Sequence, residues 1–150
     1  QNSKMEKKKK HYMKKYILAL MICLLLVGCR SKNSLVCKSS EEVSGNTYKT
    51  EIKFKYKNNI VKKAILTMDV ELGDNAFKNY NIYYNAFEQT YSGLKDLDGI
   101  KVEIKKNDKG YQAIVNVDYE VFNDKIDMIN SSLNKEQTKT YYENLKYECK

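Results

Sequence analysis

The sequence contains no proline and no tryptophan, one histidine and six glycines. Each shortage closes something off. Without proline there is no proline-rich linker, and no internal repeat or low-complexity segment divides the chain, so its 150 residues are expected to form one domain once targeting sequence is set aside. The single histidine, His11, stands ahead of an apolar run, in a stretch expected to be lost on export. What remains lacks the imidazole of Cys–His and Ser–His–Asp nucleophiles and the ligands of histidine-based zinc and iron sites. A long apolar run is missing too. The longest, Ile17 to Val27, covers 11 residues, about 16 Å as a helix against roughly 30 Å of bilayer hydrocarbon. A permanent transmembrane helix is not expected.

The formal net charge of +8 invites a nucleic-acid partner, and its distribution argues against one. Residues 1–28 carry seven lysines and one glutamate, which is +6 of the total. From Cys29 onward 20 basic residues face 18 acidic ones, interspersed, with no basic stripe to follow a phosphate backbone. No nucleic acid is expected to bind.

What is present begins with an address. Met5 and Met13 are the candidate starts; from Met13, a positive Lys14-Lys15 region leads into Ile17–Val27 and then a small residue, Gly28, as in a secretory signal. Leu26-Val27-Gly28-Cys29 also resembles the bacterial lipobox. That resemblance implies cleavage between Gly28 and Cys29, a diacylglycerol on the Cys29 thiol, and a mature chain held at the outer face of the cytoplasmic membrane. Acyl chains hold through about 0.8 kcal/mol per buried methylene. An ordinary signal peptide that ends beside a cysteine is the plainer alternative. The expected layout is an extension and signal over 1–28, a tether over 29–34 and a domain over 35–150.

Of the four cysteines, Cys23 lies in the discarded apolar run and Cys29 takes the lipid, which leaves Cys37 and Cys149. Outside the cytosol such a pair reads as a disulfide. A redox pair is the alternative, with sequence separation and the lack of C-x-x-C against it.

Periodicity supplies the fold. Tyr48, Thr50, Ile52, Phe54 and Tyr56 alternate with lysines and Glu51, which is a half-buried strand. Asn58-Asn59 reads as a tight turn, since asparagine tolerates positive φ. Ile60 to Leu72 pairs with the first strand, its Ala64, Leu66, Met68, Val70 and Leu72 facing inward, and Val36 and Cys37 are placed on a short strand ahead of it. After Gly73, with Asp74 or Asn75 as cap, the spacing of Phe77, Tyr80, Tyr84, Phe87, Tyr91 and Leu94 predicts a helix of about five turns ending at Gly93. Ile100, Val102 and Ile104 open a second hairpin, Asn107 to Gly110 form its loop with glycine at an αL bulge, and Tyr111 to Val121 alternate in its return strand. Asn134 and Gln137 resemble a capping box for a last helix whose face is Thr138, Tyr141, Tyr142 and Leu145. The expectation is α+β: an antiparallel sheet of about five strands with two helices on one face.

Candidate chemistry is sparse. Asp96-Leu97-Asp98-Gly99 has the start of a calcium loop without its later ligands. Asp69 and Glu71 fit a solvated strand face, with Asp74 beyond it. No metal and no cofactor is expected. Tyrosines are the most conspicuous functional type, and aromatic platforms bind sugars or peptides, although helical spacing also suits core packing. Tyr83, Tyr84 and Ile82, which faces away from the aromatic stripe, are the candidate binding residues. The lysine-rich strand face is a solvated surface or a contact for anionic headgroups or wall polymers.

The stretch YSGLKDLDGIKVEIKKNDKGYQAIVNVDYEVFN, residues 91–123, resembles the YehR-like family of small bacterial lipoproteins, through Tyr91-Ser92-Gly93-Leu94, Gly99-Ile100 and Val117-Asp118-Tyr119. The likeness covers residues 45–125, and the Cys37/Cys149 pair departs from it. It implies a lipid-anchored envelope protein and carries over no catalytic residue. The function expected is non-catalytic binding of an envelope protein, peptide or glycan. An accessory subunit for transport or envelope maintenance is the second reading, and an enzyme using carboxylates or tyrosine the third.

Overall fold

The computed structural model describes residues 32–122 and 132–150. The expectations for Gly28 and Cys29, the signal and most of the tether lie outside the described residues. The chain from Asn33 to Lys150 forms one compact unit with its own core.

Strands β1 (Ser34–Val43), β2 (Asn46–Lys57) and β3 (Ile60–Glu71) run as a meander. Helices α1 (Asp74–Phe77) and α2 (Tyr80–Ser92) follow, then the hairpin of β4 (Ile100–Asn107) and β5 (Gly110–Asp118), helix α3 (Lys135–Asn144) and the two-residue β6 (Glu148–Cys149). All pairings are antiparallel and the sheet order is β4-β5-β3-β2-β1-β6. The fold class is as the periodicity predicts, with six strands among the described residues where about five were expected.

The added strand is β6, which pairs with β1 at Cys37 and Lys38. β1 covers ten residues, not a short stretch around Val36, and it absorbs Ser34 from the expected tether. Ser44 and Gly45 then take φ of 53° and 81°, and Asn58 and Asn59 take 53° and 63°. Positive φ at both central positions gives turns whose twist matches that of the strands, so both hairpins close tightly.

The expected five-turn helix is divided. Gly73 caps α1 and Asn79 caps α2, neither through a side chain, and Asp74 lies in the first turn of α1 rather than at its cap. Gly93 ends α2 with φ of −60°, so no left-handed glycine closes it. β5 stops at Asp118, and Tyr119 to Val121 form a turn in which Phe122 N–H donates to the Asp118 carbonyl. The capping box of α3 is present: Asn134 Oδ1 accepts from Gln137 N–H at 2.9 Å, and Gln137 Oε1 accepts from Asn134 N–H at 3.0 Å. Its buried face is Thr138 and Tyr142, whereas Tyr141 and Leu145 are exposed.

One sheet face carries the core. Leu35 and Cys37 of β1, Ile52 and Phe54 of β2, and Val115 and Val117 of β5 are buried there. The α3 helix covers one side, with the Tyr142 ring 5.4 Å from that of Phe54. The α2 helix covers the other, laying Phe87 on Tyr111 at 4.5 Å and Tyr91 on the main cluster, with Leu94 just beyond the helix packing there too. Cys37 and Cys149 are joined by a disulfide between paired strands. Among the described residues, no helix is long and apolar enough to cross a membrane.

Candidate functional site

The opposite face of the sheet is polar, because the period of two that buries Ile52, Phe54 and Leu66 turns their neighbours outward. The register sets side chains from different strands in rows. Lys38, Glu51, Thr67, Ile114 and Glu103 lie side by side across β1, β2, β3, β5 and β4. Along and beside this row runs a groove of about 530 Å³, lined by Lys38, Ser40, Glu51, Thr67, Asp69 and Gln112.

Its electrostatic centre is Glu51. The Lys38 ammonium lies 2.6 Å from its carboxylate and that of Lys53 2.9 Å, and these two cations, Lys38 foremost, hold the carboxyl below its usual range. The hydroxyls and amide along the groove are neutral. Its walls therefore set the cations Lys38, Lys49 and Lys146 and the anions Glu51, Asp69 and Glu148 beside these neutral groups, a surface suited to a zwitterionic or hydroxyl-rich ligand.

A second groove, of about 620 Å³, lies at the end of the same face where β1 begins. Lys55, Lys63, Lys101 and Asn116 line it, with Ile65 and Val121 as its apolar part. Asp118 stands at its border, its carboxyl held down first by the Glu120 N–H, which donates at 3.0 Å, and then by Lys63 at 3.3 Å.

The tyrosines divide by environment. Tyr84 is spent in packing: its ring stacks on Tyr80 at 6.0 Å, meets the edge of Tyr111 at 6.0 Å, and is capped by Lys106 with Nζ 4.2 Å from its centroid. Tyr80 O–H donates to the Gly110 carbonyl at 2.8 Å. Burial pushes the Tyr111 phenol up to about 12 and also raises Tyr91, Tyr119 and Tyr142, so these rings are neutral at physiological pH. The Tyr119 hydroxyl is buried with no hydrogen-bond partner among the described residues, and burial also raises the Tyr56 phenol, which interacts with Thr138. Of the three candidate binding residues only Ile82, 69% exposed, and Tyr83, 41% exposed, face solvent. Their side chains stand on α2, away from both grooves.

Asp96 and Asp98 are exposed on the turn before β4, and Asp69 and Glu71 point outward from β3 while Asp74 lies on α1. Among the described residues, no group of three or more His, Cys, Asp or Glu side chains could hold a metal ion. The groove residues Ser40, Thr67 and Gln112 were not among the sequence candidates. Their outward placement is legible from alternation, but their convergence needs the strand order. No family model matches the chain, and neither a curated protein nor a solved structure is similar enough to match it.

Proposed function

We propose that the protein is a lipid-anchored component of the bacterial cell envelope, held at the outer face of the cytoplasmic membrane through Cys29. There it binds a peptide or glycan of the envelope on its polar sheet face. The observation that carries the binding reading is the groove over Glu51 and Thr67, where a cation–anion–cation array adjoins hydroxyl and amide groups on rigid strands. The anchor rests on the lipobox-like Leu26-Val27-Gly28-Cys29, and the likeness of residues 91–123 to the YehR-like lipoproteins supports the same setting.

Two measurements separate the parts of this reading. The intact mass of the membrane-extracted protein is expected to show an acylated Cys29, and Cys29→Ala is expected to move the protein from the membrane to the soluble fraction. A Cys29→Ala protein that still carried acyl mass would end the anchor reading. For the groove, titration with muropeptides, which carry peptide and glycan in one molecule, is expected to shift the backbone amide resonances of Thr67, Asp69 and Gln112. Spectra unchanged up to millimolar probe would end the binding reading.

A second reading, an accessory subunit that docks a partner protein, is favoured by Ile82 and Tyr83 standing exposed together on α2. Under it, Ile82→Asp is expected to abolish association while leaving stability within about 0.5 kcal/mol, as for other surface substitutions. Pull-down alongside a thermal melt checks both.

A further inference from the structure

We propose that the lysine-rich end of the outer sheet face is a second membrane contact, resting on anionic lipid headgroups beside the acyl anchor. The inference deepens the anchored reading and takes its orientation from it.

Three exposed lysines mark the surface. Lys55 and Lys57 at the end of β2 and Lys101 on β4 have no ion-pair partner among the described residues. Lys53 and Lys63 stand among them, offset by Glu51 and Asp118. The register places this cluster where the chain enters the domain. Ser34 pairs with Lys55, Lys55 with Lys63 and Lys63 with Asp118, and the Tyr56 N–H donates to the Asn33 carbonyl at 2.7 Å.

The anchor sits close by in chain length. Five peptide steps separate Ser34 from Cys29, which span at most about 17 Å. An acylated Cys29 therefore holds this end of the sheet near the headgroups, whose potential decays over about 8–10 Å at physiological salt. The far end of the same face mixes Lys49 and Lys109 with Asp69, Glu71 and Asp108 and has no such excess. Charge complementarity thus coincides with the tethered end. The groove there offers ammonium groups and the Asn116 amide as donors to a lipid phosphate, with Ile65 and Val121 against its glycerol.

The test uses residues 30–150, which retain the whole core and carry no cysteine that could be acylated. This chain is expected to partition onto vesicles of phosphatidylcholine mixed with phosphatidylglycerol. It is expected not to partition onto phosphatidylcholine alone. Binding is expected to vanish as salt rises from about 0.1 M to about 1 M and the screening length falls from about 10 Å to about 3 Å. Each lysine near an anionic surface multiplies partitioning roughly fivefold, so Lys55→Ser, Lys57→Ser and Lys101→Ser together should weaken it roughly 100-fold. Lys49→Ser, Lys105→Ser and Lys109→Ser remove the same charge from the far end and should change it less than about twofold. Equal binding to both vesicle types, or an equal loss in the far-end triple variant, would overturn the proposal. Acylation of Cys29 without vesicle binding defeats the patch alone, and vesicle binding without acylation defeats the anchor alone.

Discussion

Replacing both bridged cysteines, Cys37→Ala with Cys149→Ala, is expected to lower stability by roughly 4–5 kcal/mol in the chain-entropy account. In urea this moves the unfolding midpoint down by about 2–3 M. The size follows from the 112-residue separation, which the bond removes from the freedom of the unfolded chain. The two cysteines face each other across paired strands. Val36 and Lys150 exchange both backbone hydrogen bonds, at 2.9 and 2.8 Å, which makes Cys37 and Cys149 the adjacent non-hydrogen-bonded pair. Side chains approach closest at such pairs. β6 has only two residues, so without the bond α3 is held chiefly by Thr138, Tyr142 and the partly buried Tyr147. Hydrogen exchange at the Tyr142 and Tyr147 amides should then accelerate before that of β2 and β3. A double variant with an unchanged midpoint would show that the bond contributes nothing to stability.

The second large effect is expected at Gly110. Its φ is not in the left-handed region, so the bulge conformation anticipated for it is not the reason a glycine stands there. The reason is space: a methyl group at Gly110 would overlap the carbonyl oxygen of Val70 on the neighbouring strand, and a backbone carbonyl cannot rotate aside. Gly110→Ala must separate β5 from β3 at the point where Tyr80 O–H meets the Gly110 carbonyl and Tyr111 joins the α2 rings. A loss of about 3 kcal/mol is expected, at the upper end for overpacking. Gly45→Ala is the instructive contrast. Nothing lies near its added methyl, but its φ of 81° costs an L-residue about 1 kcal/mol. Paired denaturant melts of the two variants check the order, and a Gly45→Ala loss equal to that of Gly110→Ala would refute the distinction.

Much of this architecture is readable without coordinates, for physical reasons. Ile52, Phe54 and Tyr56 alternate with lysine so regularly that only a half-buried strand satisfies them, and Asn58-Asn59 is a turn because few other residues accept positive φ twice running. Asn134 and Gln137 announce a helix start by their own hydrogen bonds. β1 is harder to read beyond Cys37, because Lys38 to Glu42 are polar on both sides of the pleat, and only the Ser44-Gly45 turn betrays its end. The break between α1 and α2 is hidden for a different reason: Phe77 and Tyr80 keep helical spacing across it and their rings still meet, 5.7 Å apart. For the outer face, alternation shows that Glu51, Thr67 and Gln112 point to solvent. It cannot show that β5 lies beside β3, and that adjacency brings residues 61 positions apart, such as Glu51 and Gln112, into one groove.

The placement of the disulfide has a mechanical consequence. With the chain anchored at Cys29 as proposed, tension would reach Ser34 and act along β1, whose ten register pairs with β2 would share the load. Only Ser34, Val36 and the buried Leu35 can peel away before the pull reaches Cys37 and passes through a covalent bond to Cys149. From there it enters the C-terminal strand, so that both outer strands on this side of the sheet are loaded together. A domain tethered in this way would transmit force from its attachment point into the sheet while the core beneath stays closed.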